Sequence, residues 1–75
     1  METKICDIIN KVRKNKGLQS METITADMSL RRDLELTSFD LAELTVRIED
    51  EFDIDVFEDG LIEKVGEIYS KLSNV

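Results

Sequence analysis

The chain has 75 residues, 17 acidic against 10 basic, and a net charge of −7 with no His, no Trp, no Pro and one Cys. That length holds one domain, residues 1–75, burying only about 60% of the surface its unfolded chain exposes. One Cys and no His exclude an internal disulfide, a four-ligand Cys/His zinc site and the Ser-His-Asp and Cys-His arrangements, so an enzyme acting alone is not expected.

At 41% hydrophobic the chain is apolar enough to fold. No stretch reaches the roughly eighteen apolar residues of a membrane span. The start, METKICDIINKVRK, has no signal core, and an unpaired thiol fits a reducing cytoplasm. The acidity speaks against nucleic acid or an anionic membrane surface as partner.

The first element is an amphipathic helix over 2–16, with Ile5, Ile8, Ile9 and Val12 at i, i+3, i+4 and i+7. Lys14, Lys16 and Gly17 supply its stop. Cys6, at the edge of the stripe, reads as a small half-buried hydrophobe. Residues 18–36 keep no period. Leu18, Met21, Ile24, Met28, Leu30, Leu34 and Leu36 are spread among polar residues, which predicts a long anchored loop with a short turn around 27–33. Loops of that length are usually functional.

The clearest helix covers 38–52. Leu41, Leu44, Ile48 and Phe52 fall in one arc, and Phe39, Ala42 and Val46 widen it to a second side. So wide an arc predicts a central helix with neighbours on two sides. Asp40, Glu43, Arg47, Asp50 and Glu51 hold the remaining face, with Glu43 and Arg47 spaced i, i+4. FDIDVF then reads as an extended loop with Ile54 and Val56 turned inward. Gly60, a short piece with Leu61 and Ile62, and a last helix over about 63–72 follow, the helix carrying Val65, Ile68, Tyr69 and Leu72.

Charge is concentrated in the middle. Residues 1–32 hold seven basic and four acidic groups, 33–59 hold eleven acidic groups against Arg47 alone, and 60–75 hold two of each. The acids do not spell a calcium loop: counted from Asp55, Phe57 falls on the third ligand position and Gly66 on the twelfth, where a Glu is required. Thr37-Ser38-Phe39-Asp40 has the form of a capping box, with Thr37 as N-cap. A hydroxyl at a helix start also lies beside amides and a dipole end that favour an attached phosphate. Asp40 and Glu43 next to it pull the other way, so Ser38 cannot become a strong internal nucleophile and another protein would have to modify it.

With these residues in view, DLELTSFDLAELTVRIEDEFDIDV, residues 33–56, resembles the acyl carrier proteins, the phosphopantetheine-binding carrier domains. The shared pattern is a Leu-containing approach, Ser followed by a large apolar residue and Asp, an acidic helix, and an extended apolar segment. VGEIYSKL resembles the family's last helix, so the likeness spans essentially the whole chain.

The resemblance implies an all-α bundle of three main helices and one short one behind a long first loop, and a monomer. It implies that Ser38 receives 4′-phosphopantetheine from coenzyme A through a separate Mg²⁺-dependent phosphopantetheinyl transferase and carries acyl groups as thioesters without catalysing anything. Asp40, Glu43, Arg47, Asp50 and Glu51 would match the surface read by basic docking patches on acyl-loading and acyl-processing enzymes.

Two departures stand out. Thr37 replaces the usual Asp before the serine, and the stretch between Phe57 and Val65 is shorter than in housekeeping fatty-acid carriers. Both point to a specialised lipid or secondary-metabolite pathway, of polyketide or nonribosomal type, over the main fatty-acid carrier, with fatty acid synthesis the other pathway the resemblance implies. The competing reading is an unmodified acidic helical module that binds a basic protein.

Overall fold

Apolar residues that recur every third or fourth position are buried together when the segment winds as a helix, and three segments of the chain do so. In a computed structural model, which describes residues 2–58, 60 and 62–73, α1 runs Glu2–Asn15, α2 Ser38–Phe52 and α3 Val65–Ser73. Ile5, Ile9 and Val12 from α1, Leu41, Leu44 and Ile48 from α2, and Val65, Ile68 and Leu72 from α3 meet in one core. Leu30, Leu34, Leu36, Val56 and Ile62 complete it from the connecting segments. No helix among the described residues is long and apolar enough to cross a membrane.

α1 ends at Asn15, one residue before the predicted end. Gly17 takes the left-handed conformation at φ 88°, and Leu18 N–H donates to Arg13 O at 2.9 Å to close the last turn. Cys6 is half-buried, its Sγ 3.7 Å from the Tyr69 hydroxyl.

The long first loop is held from both sides. Met28, Met21 and Ile24 pack on the core beneath it, while a polar stripe of α1 grips its backbone. Asn10 exchanges two hydrogen bonds with Met21, its Nδ2 donating to the carbonyl at 3.0 Å and its Oδ1 accepting from the amide at 2.9 Å. One turn on, Arg13 is only 6% exposed, with Nη1 donating to Leu34 O at 2.6 Å and Nε to Gln19 O at 3.2 Å. The bond to Leu34 O is buried and satisfies a carbonyl that would otherwise lie inside the fold unpaired.

The predicted turn appears at residues 30–33, braced by Asp33 N–H donating to Ser29 O and Ser29 N–H donating to Asp33 Oδ2. Beyond it, Leu30 N–H donates to Glu63 O, and an isolated antiparallel bridge joins Ser29 to Lys64. That crossing accounts for the start of α3, two residues later than predicted, because the backbone of 63–64 is engaged with the loop. Glu67 Oε2 then accepts from both Glu63 and Lys64 amides, at 3.0 and 2.8 Å, capping the helix and holding the Glu67 carboxyl below its usual pKa.

The expected short additional helix is not formed among the described residues, so the bundle has three helices where three plus one were predicted. Residues 56–58 make a turn begun by Asp55, whose Oδ1 accepts from Phe57 N–H at 3.0 Å. Gly60 follows at φ 128°, outside helical geometry, and Leu61, expected in this piece, lies outside the described residues. Val56 is buried and Ile54 half-buried, as predicted for an extended segment.

A second difference concerns α2. Leu41, Leu44 and Ile48 are buried, but Phe39 and Val46 are 82% and 66% exposed. Among the described residues, α2 turns Leu41, Leu44 and Ile48 to the core it shares with α1, α3 and the loops, while Phe39, Ala42 and Val46 face outward.

Candidate functional site

The start of α2 is built by Thr37. Its extended backbone, φ −85° and ψ 174°, stops the helix from beginning earlier, and its hydroxyl accepts from the Asp40 amide at 3.2 Å. Asp40 Oδ2 returns the contact, accepting from Thr37 N–H at 2.8 Å and from Thr37 Oγ1 at 2.9 Å. Both halves of the predicted capping box are present.

Lys16, arriving from the end of α1, donates through Nζ to Asp40 Oδ2 at 2.5 Å and to Glu35 O at 2.7 Å. The Lys16 ammonium, followed by the Thr37 amide, holds the Asp40 carboxyl below the usual aspartate pKa. Glu35 adopts the left-handed region at φ 59°, which turns the chain sharply from buried Leu34 to the helix start.

Ser38 is thereby the first residue of α2 and is exposed. Its Oγ accepts a hydrogen bond from Arg31 Nη2 at 2.8 Å. Beside it opens a groove of about 310 Å³ lined by Ser38, Leu41, Ala42, Thr45, Phe57 and Gly60. An accessible hydroxyl, a helix N-terminus and an adjoining apolar groove can accept a phosphoryl-linked group and give its apolar continuation somewhere to rest. Among the described residues, the side chain bonded to the hydroxyl is that of Arg31, a donor and not a base.

The structure separates the five charged residues that the sequence placed on one docking face. Asp40 is 8% exposed and turned into the cap, so it belongs to the helix start and not to the open face; its position three residues after an N-cap is what takes it inward. Glu43 and Arg47 form the predicted i, i+4 pair at 2.8 Å, and Glu43 Oε2 also accepts from Asn15 Nδ2 at 3.4 Å. Glu51 pairs with Lys4 of α1 at 2.6 Å. Asp50 is exposed and shares a surface depression of about 660 Å³ with Glu43, Val46, Arg47, Glu49 and Asp53.

Glu49 and Asp53 were missed in the sequence, although Val46, Glu49, Asp50 and Asp53 are spaced i, i+3, i+4 and i+7 and so share a face. Arg31 was missed as well. Seven residues before Ser38 in an irregular loop, it offered no periodic signal. Among the described residues no group of three His, Cys, Asp or Glu side chains is placed to hold a metal ion.

Comparisons with known proteins agree on the family. The family model "Phosphopantetheine attachment site" matches residues 4–66. The mitochondrial acyl carrier protein of Saccharomyces cerevisiae is 38% identical over 53 residues, covering 71% of this chain; the match spans 42% of that protein's length. A solved Mycobacterium tuberculosis structure assigned to the acyl carrier proteins superimposes with a TM-score of 0.76 at 28% identity, covering 97% of this chain and 95% of its own.

Proposed function

The chain belongs to the phosphopantetheine-attachment family, whose members carry a covalent 4′-phosphopantetheine and are carriers and not catalysts, and from that premise we propose that Ser38 is its attachment point. The supporting observation is the position of the Ser38 hydroxyl, exposed at the first turn of α2 and at the mouth of the groove formed with Leu41, Ala42, Thr45 and Phe57.

When attached, the arm supplies a flexible thiol that bears acyl groups as thioesters. The chain's own contributions are modest and specific. Thr37 and Asp40 fix where the helix begins and therefore where the hydroxyl points. The first amides of α2 lack intrahelical partners and favour an anion there. The transferase, acting with Mg²⁺, must take the Ser38 proton as the oxygen displaces the nucleotide half of coenzyme A from phosphorus.

The outer face of α2 is the docking surface in this reading. Phe39, Ala42 and Val46 form an exposed apolar stripe that begins next to Ser38, and Glu49, Asp50 and Asp53 continue it with negative charge. An apolar strip able to bury area, flanked by acids that steer a basic partner, suits brief encounters with acyl-loading and acyl-processing enzymes. The Glu43–Arg47 pair and Glu51 border that surface.

For the pathway, Thr37 at the cap and the absence of a helix among the described residues of 53–64 support a specialised lipid or secondary-metabolite role. For the compartment, the free Cys6 supports a reducing one, the cytoplasm in this reading, although the yeast relative is mitochondrial.

The test is intact mass after incubation with coenzyme A, Mg²⁺ and a broad-specificity transferase. A gain of one phosphopantetheine that Ser38→Ala abolishes is expected. No gain with any transferase would leave an unmodified acidic module as the better reading.

A further inference from the structure

Arg31 directs its side-chain hydrogen bond to a hydroxyl and not to a carboxylate. Lys4, Arg13, Lys16 and Arg47 each lie within ion-pair distance of a carboxylate. Arg31 forms no such pair among the described residues and directs Nη2 to the neutral hydroxyl of Ser38. An exposed neutral acceptor gives a guanidinium little net stability, since water serves it nearly as well. The contact is therefore poorly explained as a structural one.

Its placement is set by the turn that carries it. Leu30 and Leu34 are fully buried on either side, which sends the intervening side chains outward. The turn is stiffened by Asp33 Oδ2 on the Ser29 amide at 2.6 Å, Ser29 Oγ on the Arg32 amide at 3.1 Å, and the Leu30 amide on Glu63 O at 2.8 Å. Arg31 thus stands on a braced platform, and it is Arg31, not Arg32 next to it with the same charge, that bonds Ser38.

We propose that Arg31 is a positioning residue for the phosphodiester that modification creates on Ser38, donating to its oxygens and fixing the direction in which the arm leaves the protein. The inference rests on Ser38 being the attachment point. The phosphorus would stand one bond beyond the oxygen that Arg31 already reaches, so a small rotation moves the fork of donors from a hydroxyl to an anion. Charge-assisted bonds of that kind are roughly twice as strong as neutral ones. They would also offset repulsion from the segment 33–59, where eleven acidic groups face one basic. Of the neighbouring carboxylates, Asp33 is bonded to the Ser29 amide, Glu35 lies 3.9 Å from Arg13 and Asp40 is turned inward onto Lys16, and none of them is within ion-pair distance of Arg31.

Phosphorus NMR of the modified protein tests this, with attachment first established by intact mass. In the unaltered chain, the phosphodiester resonance and the Ser38 and Phe39 amide resonances are expected to move on Arg31→Ala, to be partly restored by Arg31→Lys, and to be unaffected by Arg32→Ala. The Arg31 side-chain N–H should exchange with water more slowly after modification than before it. Thermal stability of the unmodified Arg31→Ala protein should match that of the parent, because the side chain is exposed.

A modified protein whose phosphorus resonance ignores Arg31→Ala, or responds equally to Arg32→Ala, overturns the inference and leaves the carrier reading intact. A protein that takes up no phosphorus at all overturns both.

Discussion

Leu41, Leu44 and Ile48 lie in the common core with almost no exposure, whereas Phe39, Ala42 and Val46, on the same helix and equally apolar, face outward. The same split divides its acids: Asp40 is turned into the cap beneath Lys16, and Asp50 stands on the open side. Inside the core, apolar side chains are fixed by packing and contribute to stability. Outside, the same chemistry is left to solvent and adds little to the isolated fold. Helical spacing identifies which residues share a face, but what covers that face depends on where the rest of the chain is anchored.

The largest effect expected from that contrast compares one residue from each side. Leu44 is fully buried, so Leu44→Ala removes its contacts and leaves a cavity, costing about 2–5 kcal/mol. In a chain of this size such a loss lowers the melting temperature steeply or abolishes folding. Val46→Ala removes a similar group from the exposed stripe and should change stability by less than about 0.5 kcal/mol. Denaturant unfolding of the two variants checks the pair. Equal destabilisation would mean that the outer stripe is covered and the division is wrong.

A smaller effect is expected at the cap. Asp40→Asn keeps the shape but weakens the contacts with Lys16 and the Thr37 amide, for a loss of about 1 kcal/mol, typical of a damaged helix cap. The sign of its pH dependence follows from the depressed pKa. A carboxyl whose folded pKa lies below its unfolded one contributes fully above the unfolded value, near 3.9, and loses that contribution as pH falls through the folded value. The gap in stability between the parent and Asp40→Asn should therefore be constant at neutral pH and shrink below about pH 4. A gap that persists unchanged in acid would show that Asp40 is not held as its ammonium and amide partners imply.

The elements that were legible in the sequence are those whose signals are local. The α2 boundaries follow from Thr37 at one end and the loss of period after Phe52 at the other, and the capping box is readable from four consecutive residues. The inward anchors Leu30, Leu34 and Val56 were also visible, because an isolated large apolar residue in a polar loop has few other uses. What stayed hidden depends on distant partners. Arg13 is buried because it serves carbonyls of Gln19 and Leu34, and nothing in the surrounding KVRKNK distinguishes it from its exposed neighbours. Lys16 meets Asp40 across 24 positions of sequence. The missing neighbour on the outer side of α2 is equally non-local, since a wide apolar arc reads the same whether its second side meets another helix or another protein.

Asp50 supplies the smallest structural perturbation and the sharpest functional one. It is exposed, in the last turns of α2, with Glu49 and Asp53 beside it in the acidic depression. Charge reversal there, Asp50→Lys, leaves the core and cap untouched and should alter stability by less than about 0.5 kcal/mol. It relieves some repulsion among the neighbouring acids, so any small change should be favourable at low salt and vanish as added ions screen the field. Association is another matter. If the outer face steers a basic partner, the reversal should slow the association rate with the transferase and flatten its dependence on ionic strength, while dissociation changes less, because exposed charges act mainly on encounter. The reversal of Asp40 would be the wrong experiment, since it dismantles the helix start and confounds docking with folding. Stopped-flow association of Asp50→Lys at several salt concentrations separates the two, and a rate and salt slope equal to the parent's would reduce the acids of this face to a solvated surface.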